Sequence, residues 1–84
     1  MVKLEFYTKH NCSLCDDAYA LIMMLKNYYS FELEERDIYT NDSWLEEYQL
    51  LIPAVRIKDT LLTCEAMNLH QLEKALQENV GKKD

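Results

Sequence analysis

Apolar and polar side chains alternate in the opening stretch "VKLEFYT", with Val2, Leu4 and Phe6 on one side and Lys3 and Glu5 on the other. A period of two predicts a strand with one face in a core. Polar "KHN" breaks the pattern. From Ser13 to about Tyr28 the period lengthens, and Leu14, Ala18, Ile22 and Leu25, with Leu21 alongside, recur at helical spacing. Asp16 and Asp17 fall in the first turn of that helix, where the positive end of its dipole favours carboxylates. "FELEERDIY" returns to alternation, with Phe31 and Leu33 against Glu32 and Glu34 before Ile38. "NDSWLEEYQLL" predicts a short helix carrying Trp44, Leu45 and Tyr48, with Ser43 and Glu46 spaced as a capping box and Pro53 as its stop. "AVRIKD" and "TLLTCE" read as two short strands around a tight turn near Asp59 and Thr60. Asn68 and Gln71 form a second capping box for a helix bearing Leu69, Leu72, Leu76 and Val80, which Gly81 closes.

The order is strand, helix, strand, helix, strand, strand, helix. The first strand-helix-strand unit calls for a right-handed crossover and parallel pairing, and the closing hairpin is antiparallel. A single α/β domain over residues 1–84, with a mixed four-stranded sheet (β-α-β-α-β-β-α) and helices on both faces, buries every apolar stripe.

Composition narrows the function classes. A 49% hydrophobic content supports one core, and a single glycine and a single proline leave few special turns. A formal charge of -6 repels polyanions, which excludes nucleic acid and anionic membrane as partners while leaving a basic protein open. The basic residues of "GKKD" make too short a tail for an interaction arm. Tyr28 and Tyr29 read as packing at a helix end, Met23 and Met24 as core filler, and "ELEERD" as a solvated strand face. The N-terminus has no unbroken apolar run and no stretch could span a bilayer, which predicts a cytoplasmic, reducing location. There, three cysteines read as redox-active, metal-binding or inert rather than as a disulfide framework.

Cys12 and Cys15 stand three apart at a helix start, which makes their side chains neighbours at about 5–6 Å. That suits a disulfide, whose Cα atoms usually lie about 4.4–6.8 Å apart. Unpaired amides and the helix dipole favour a thiolate there, most of all at the outer Cys12. Lys9 and His10 could add positive potential, whereas Asp16 and Asp17 oppose it. Cys12 is therefore the expected nucleophile, forming a mixed disulfide that Cys15 resolves. Two other readings stay open: metal binding, as zinc held by Cys12, Cys15 and Cys64 with His10 or as an iron-sulfur cluster bridged between two subunits with glutathione, and a non-catalytic module binding a partner through the Pro53 face. His10 alone reads as an exposed loop histidine. Cys64 reads either as a buried spectator or as a thiol that approaches Cys12.

A strand, then "YTKHNCSLC", a helix, and later "IPA" before a hairpin: this resembles the glutaredoxin branch of the thioredoxin superfamily over nearly the whole chain. The resemblance implies a dithiol-disulfide oxidoreductase, with Cys12 and Cys15 as the catalytic, redox-active pair. It makes Lys9 a residue that meets the glutathione carboxylate. It also implies a cis bond at Ile52-Pro53, with Pro53 facing the Cys12 sulfur and the Ile52 backbone free to pair with an extended substrate; a plain helix stop is the other reading of Pro53. The expected substrates are disulfide-containing proteins or small thiols, the expected state is a monomer, and no cofactor is tightly bound. Glutathione is the candidate co-substrate. Against it, "TCEAM" stands where glutathione-binding relatives carry two glycines and aspartates, with Glu65 left as one acidic replacement. "SL" between the cysteines and Asn11 before them also depart from the Pro-Tyr of glutaredoxins and the tryptophan of thioredoxins, so neither family's redox potential transfers.

Overall fold

The computed structural model describes residues 1–82 and assembles them into two layers of helix around one sheet; Lys83 and Asp84, at the end of the basic tail, lie outside the described residues. Four strands, β1 (Lys3–Thr8), β2 (Glu32–Asp37), β3 (Ala54–Ile57) and β4 (Thr60–Leu62), and three helices, α1 (Ser13–Leu25), α2 (Asp42–Tyr48) and α3 (Leu69–Asn79), follow the expected order. The sheet runs β2-β1-β3-β4, with β1 parallel to β2 and antiparallel to β3, and β4 antiparallel to β3.

Strand alternation divides the core in two. Leu4 and Phe6 of β1, with Val55 and Ile57 of β3, face Ala18, Ile22 and Leu25 of α1 and Leu72, Ala75 and Leu76 of α3, and all of them are buried. On the opposite face Tyr7 and Ala54 pack under Ile38 and Tyr48, beside the half-buried Trp44 and Leu45. Helices thus cover both faces, as expected. Tyr7 is a third buried position on β1, on the opposite face, that the one-sided pattern of Val2, Leu4 and Phe6 did not disclose.

Several boundaries and burials differ from expectation. Helix α1 stops at Leu25 instead of Tyr28, and the amides of Tyr28 and Tyr29 both donate to the Leu25 carbonyl at 3.0 Å, closing a turn. Its buried stripe is Cys15, Ala18, Ile22 and Leu25. Leu14 falls off that stripe and is 64% exposed, and Met23 and Met24 lie on its flanks in contact with solvent, so they are not core filler. Tyr29 is fully buried and donates to Glu73 Oε2 at 3.0 Å, tying the end of α1 to α3, while Tyr28 is exposed. Strand β2 ends at Asp37, and Ile38–Thr40 turns into a 3₁₀ segment with Ile38 in the core. The cap of α2 is Asn41, not Ser43: its Oδ1 accepts from the Ser43 and Trp44 amides at 2.9 and 3.2 Å. The capping residue of α3 is Asn68, accepting from the Gln71 amide at 2.9 Å, as the spacing predicts.

The hairpin turn is Lys58-Asp59, and Lys58 takes a positive φ of 53° in the place a glycine would fill without strain. Gly81 has φ 82° and donates to the Leu76 carbonyl at 3.0 Å, the left-handed ending expected of it.

Candidate functional site

The loop from β1 into α1 sets the geometry. Asn11 adopts φ 55°, a left-handed backbone that asparagine enters more readily than most residues. The chain thereby reverses just before Cys12, which is extended (φ -125°, ψ 103°) and serves as the N-cap of α1. The first helical hydrogen bond runs from the Asp16 amide to the Cys12 carbonyl at 3.0 Å, and the Cys15 amide donates to Cys12 Sγ at 3.2 Å. A sulfur in this position meets an unpaired helix amide and the positive end of the dipole.

Cys12 and Cys15 are joined as a disulfide, with Cα atoms 5.2 Å apart. Their exposures differ. Cys15 belongs to the buried stripe of α1 at 1% exposure, whereas Cys12 is half-buried. Solvent therefore reaches the outer sulfur and not the inner one. Asp16 lies in the first turn of α1 and Asp17 just beyond it, and both are exposed.

The Ile52-Pro53 bond is cis, Pro53 is buried and Ile52 is half-buried. Ile52 lies outside the β3 ladder, which begins at Ala54, and it packs, like Cys12, against the larger core. Pro53 is not the helix stop expected of it, since α2 has already ended at Tyr48 with Gln49 as its C-cap. Lys9 is exposed and lines a cleft of 300 Å³ between the β1–α1 loop and the end of β2, together with His10, Asn11, Asp16, Glu35 and Asp37. His10 is exposed, as read, but its Nε2 comes within 3.3 Å of Asp37 Oδ2.

Cys64 overturns the buried reading. It is exposed in a 3₁₀ turn, Cys64–Ala66, that buries none of its residues. Its amide donates to the Leu51 carbonyl at 3.0 Å, which ties this turn to the residue before Ile52. The metal reading finds no assembled donor set: among the described residues, no three or more His, Cys, Asp or Glu side chains come together as a group that could hold a metal.

An ionic and aromatic platform centred on Arg36 of "ELEERD" lies on the α2 side of the sheet. Arg36 faces Tyr7 across the β1–β2 register, donates to its hydroxyl at 2.9 Å, pairs with Glu5 at 2.8 Å and also with Glu34, and lies over the Trp44 ring at 4.8 Å. This part of the strand is therefore not simply solvated. Tyr7 also stacks on Tyr48, with ring centroids 3.8 Å apart. Burial, then the Tyr48 hydroxyl and the Glu5 charge, push the Tyr7 pKa up to about 12. Burial pulls the Arg36 pKa down, but its bonds to Glu34 and Tyr7 outweigh this and the net shift is upward; the Arg36 hydrogen bond in turn holds the Glu34 carboxyl below its usual range.

Sequence reasoning missed Arg36, Glu35 and Asp37. The only available signal was the parallel pairing of β2 on β1, which sets Arg36 opposite Tyr7 and Asp37 opposite Thr8. No helix among the described residues is long and apolar enough to cross a membrane. The glutaredoxin-like domain family (DUF836) matches residues 3–77, from the first residue of β1 almost to the end of α3. With a match over that length, and a mixed four-stranded sheet carrying a cysteine pair at the start of its first helix, the chain belongs to the glutaredoxin-like domain family.

Proposed function

We propose that this protein is a dithiol-disulfide oxidoreductase. The observation that carries the reading is the unequal pair at the N-terminus of α1: a half-buried Cys12 whose sulfur accepts a helix amide, joined to a fully buried Cys15. In the reduced protein the Cys12 thiolate attacks a substrate disulfide, forming a mixed disulfide and releasing one thiolate. Cys15 then attacks Cys12 Sγ, and the second substrate thiol leaves. Two electrons pass from the protein dithiol to the substrate, which takes up two protons. Burial keeps Cys15 from outside disulfides and directs it to the neighbouring sulfur. The Ile52 backbone, free of the ladder, pairs with an extended substrate beside Pro53. Substrates are protein or small-molecule disulfides.

The test is single-turnover reduction of hydroxyethyl disulfide by the prereduced protein. Cys12→Ser abolishes turnover, and Cys15→Ser accumulates a mixed disulfide on Cys12, visible as an adduct by mass spectrometry. Unchanged rates in the Cys12→Ser protein refute the reading.

A further inference from the structure

The cleft lined by Asn11, which precedes Cys12, and by Asp16, whose amide donates to the Cys12 carbonyl, has a charge pattern that bears on which disulfides approach the pair. This inference rests on the redox reading above and concerns the same site. Three carboxylates, Asp16, Glu35 and Asp37, line the cleft against Lys9 and His10. Asp16 follows Cys12 by one helical turn, and Glu35 is exposed on β2, opposite Phe6 in the register. Asp37 already engages His10 and the Tyr39 amide, so that pair is set aside, and Asp16 and Glu35 remain against Lys9. Asp17 and Glu65 are exposed as well, and the chain as a whole carries -6.

We propose that the cleft selects cationic disulfides, such as disulfides flanked by lysine, arginine or ammonium groups, over anionic ones. Lys9 alone would favour a carboxylate-bearing ligand such as glutathione. The carboxylates around it outnumber it and reverse the sign of the field at the mouth of the site. A cleft with one dominant sign of charge concentrates the opposite sign and accelerates its encounter.

The experiment compares single-turnover reduction of cystamine, hydroxyethyl disulfide, dithiodiglycolate and glutathione disulfide by the prereduced protein, at low salt and at high salt. Cystamine should react faster than dithiodiglycolate by on the order of tenfold at low salt. The ratio should fall toward unity at about 1 M salt, where the screening length is only about 3 Å. The double variant Asp16→Asn/Glu35→Gln should shrink the low-salt ratio by about threefold, and Glu35→Lys should shrink it further. Asp16 also sits near Cys12 and could alter its reactivity, but that acts on every substrate alike and leaves the ratio intact. Glu78→Gln, on the exposed face of α3, removes one negative charge, as each neutralising cleft change does, and should leave the ratio in place. Reduction of the neutral disulfide with no cationic preference, or with an anionic one, overturns this inference alone. Failure to reduce even the neutral disulfide overturns the redox reading and the inference with it.

Discussion

Removing the Arg36 side chain should cost more than an ordinary surface substitution, because one guanidinium serves four neighbours at once. Its pair with Glu5, 2.8 Å long and about one-fifth exposed on each side, lies between the exposed and buried regimes and contributes about 1 kcal/mol. The 2.9 Å bond to the Tyr7 hydroxyl adds about 1 kcal/mol, and stacking on Trp44 about 0.5–1 kcal/mol. Glu34 is too exposed to count. Arg36→Ala should therefore destabilise the fold by about 2–3 kcal/mol. With a urea slope of about 1 kcal/mol per M for a chain this small, the midpoint should fall by about 2–3 M at unchanged slope. Far-UV circular dichroism gives the transition, and Trp44, the only tryptophan, gives an independent probe placed against the missing group. Arg36→Lys, which keeps the charge but loses the planar fork, should fall between the two. A midpoint shift below about 0.5 M for Arg36→Ala would show that the network is ornamental and the reasoning wrong.

The Tyr7 phenol, held at about 12, predicts an alkaline weakness. A folded-state pKa raised above the unfolded value of 10.0 contributes stability that is complete below 10.0 and is lost as the pH rises through about 12. Urea midpoints measured across that window should decline, and less so in Tyr7→Phe; a flat profile in the parent would contradict the assigned burial. In the main core, Leu76→Ala removes a fully buried side chain from α3 and should cost about 2–5 kcal/mol with no loss of the Cys12–Cys15 disulfide in the folded fraction. A denaturation midpoint equal to the parent's would place Leu76 outside the core.

How far the sequence could be read depended on whether an element's partners were local. The order and pairing of strands were readable because "VKLEFYT" alternates, the two-residue turn forces an antiparallel hairpin, and a helical crossover forces β1 and β2 parallel. The cysteine pair was readable for the same reason, since its geometry is set within one helical turn. Leu14, Met23 and Met24 were misjudged because apolar character alone does not say how wide a stripe the sheet and α3 will cover. Here the covered stripe is the single line Cys15, Ala18, Ile22 and Leu25. Asn41 and Ser43 are both good caps, and only the backbone, extended at Asn41, chooses between them. Arg36, Glu35 and Asp37 gain their meaning from β1 residues about thirty positions away, across a register that periodicity does not specify. Cys64 escaped for a related reason: a thiol's burial depends on whether its turn folds inward, and this one protrudes.

The strand order also has a bearing on how copies of the chain treat one another. Strands β2 and β4 form the two open margins of the sheet, where unpaired amides and carbonyls could recruit another chain and seed fibrous assembly. β4 is only three residues long, too short to template much pairing. β2 is six residues long but carries Glu32, Glu34 and Glu35, so an identical strand laid alongside it would bring glutamate against glutamate. The acidic run that read as a solvated strand face thus sits on the one margin long enough to polymerise.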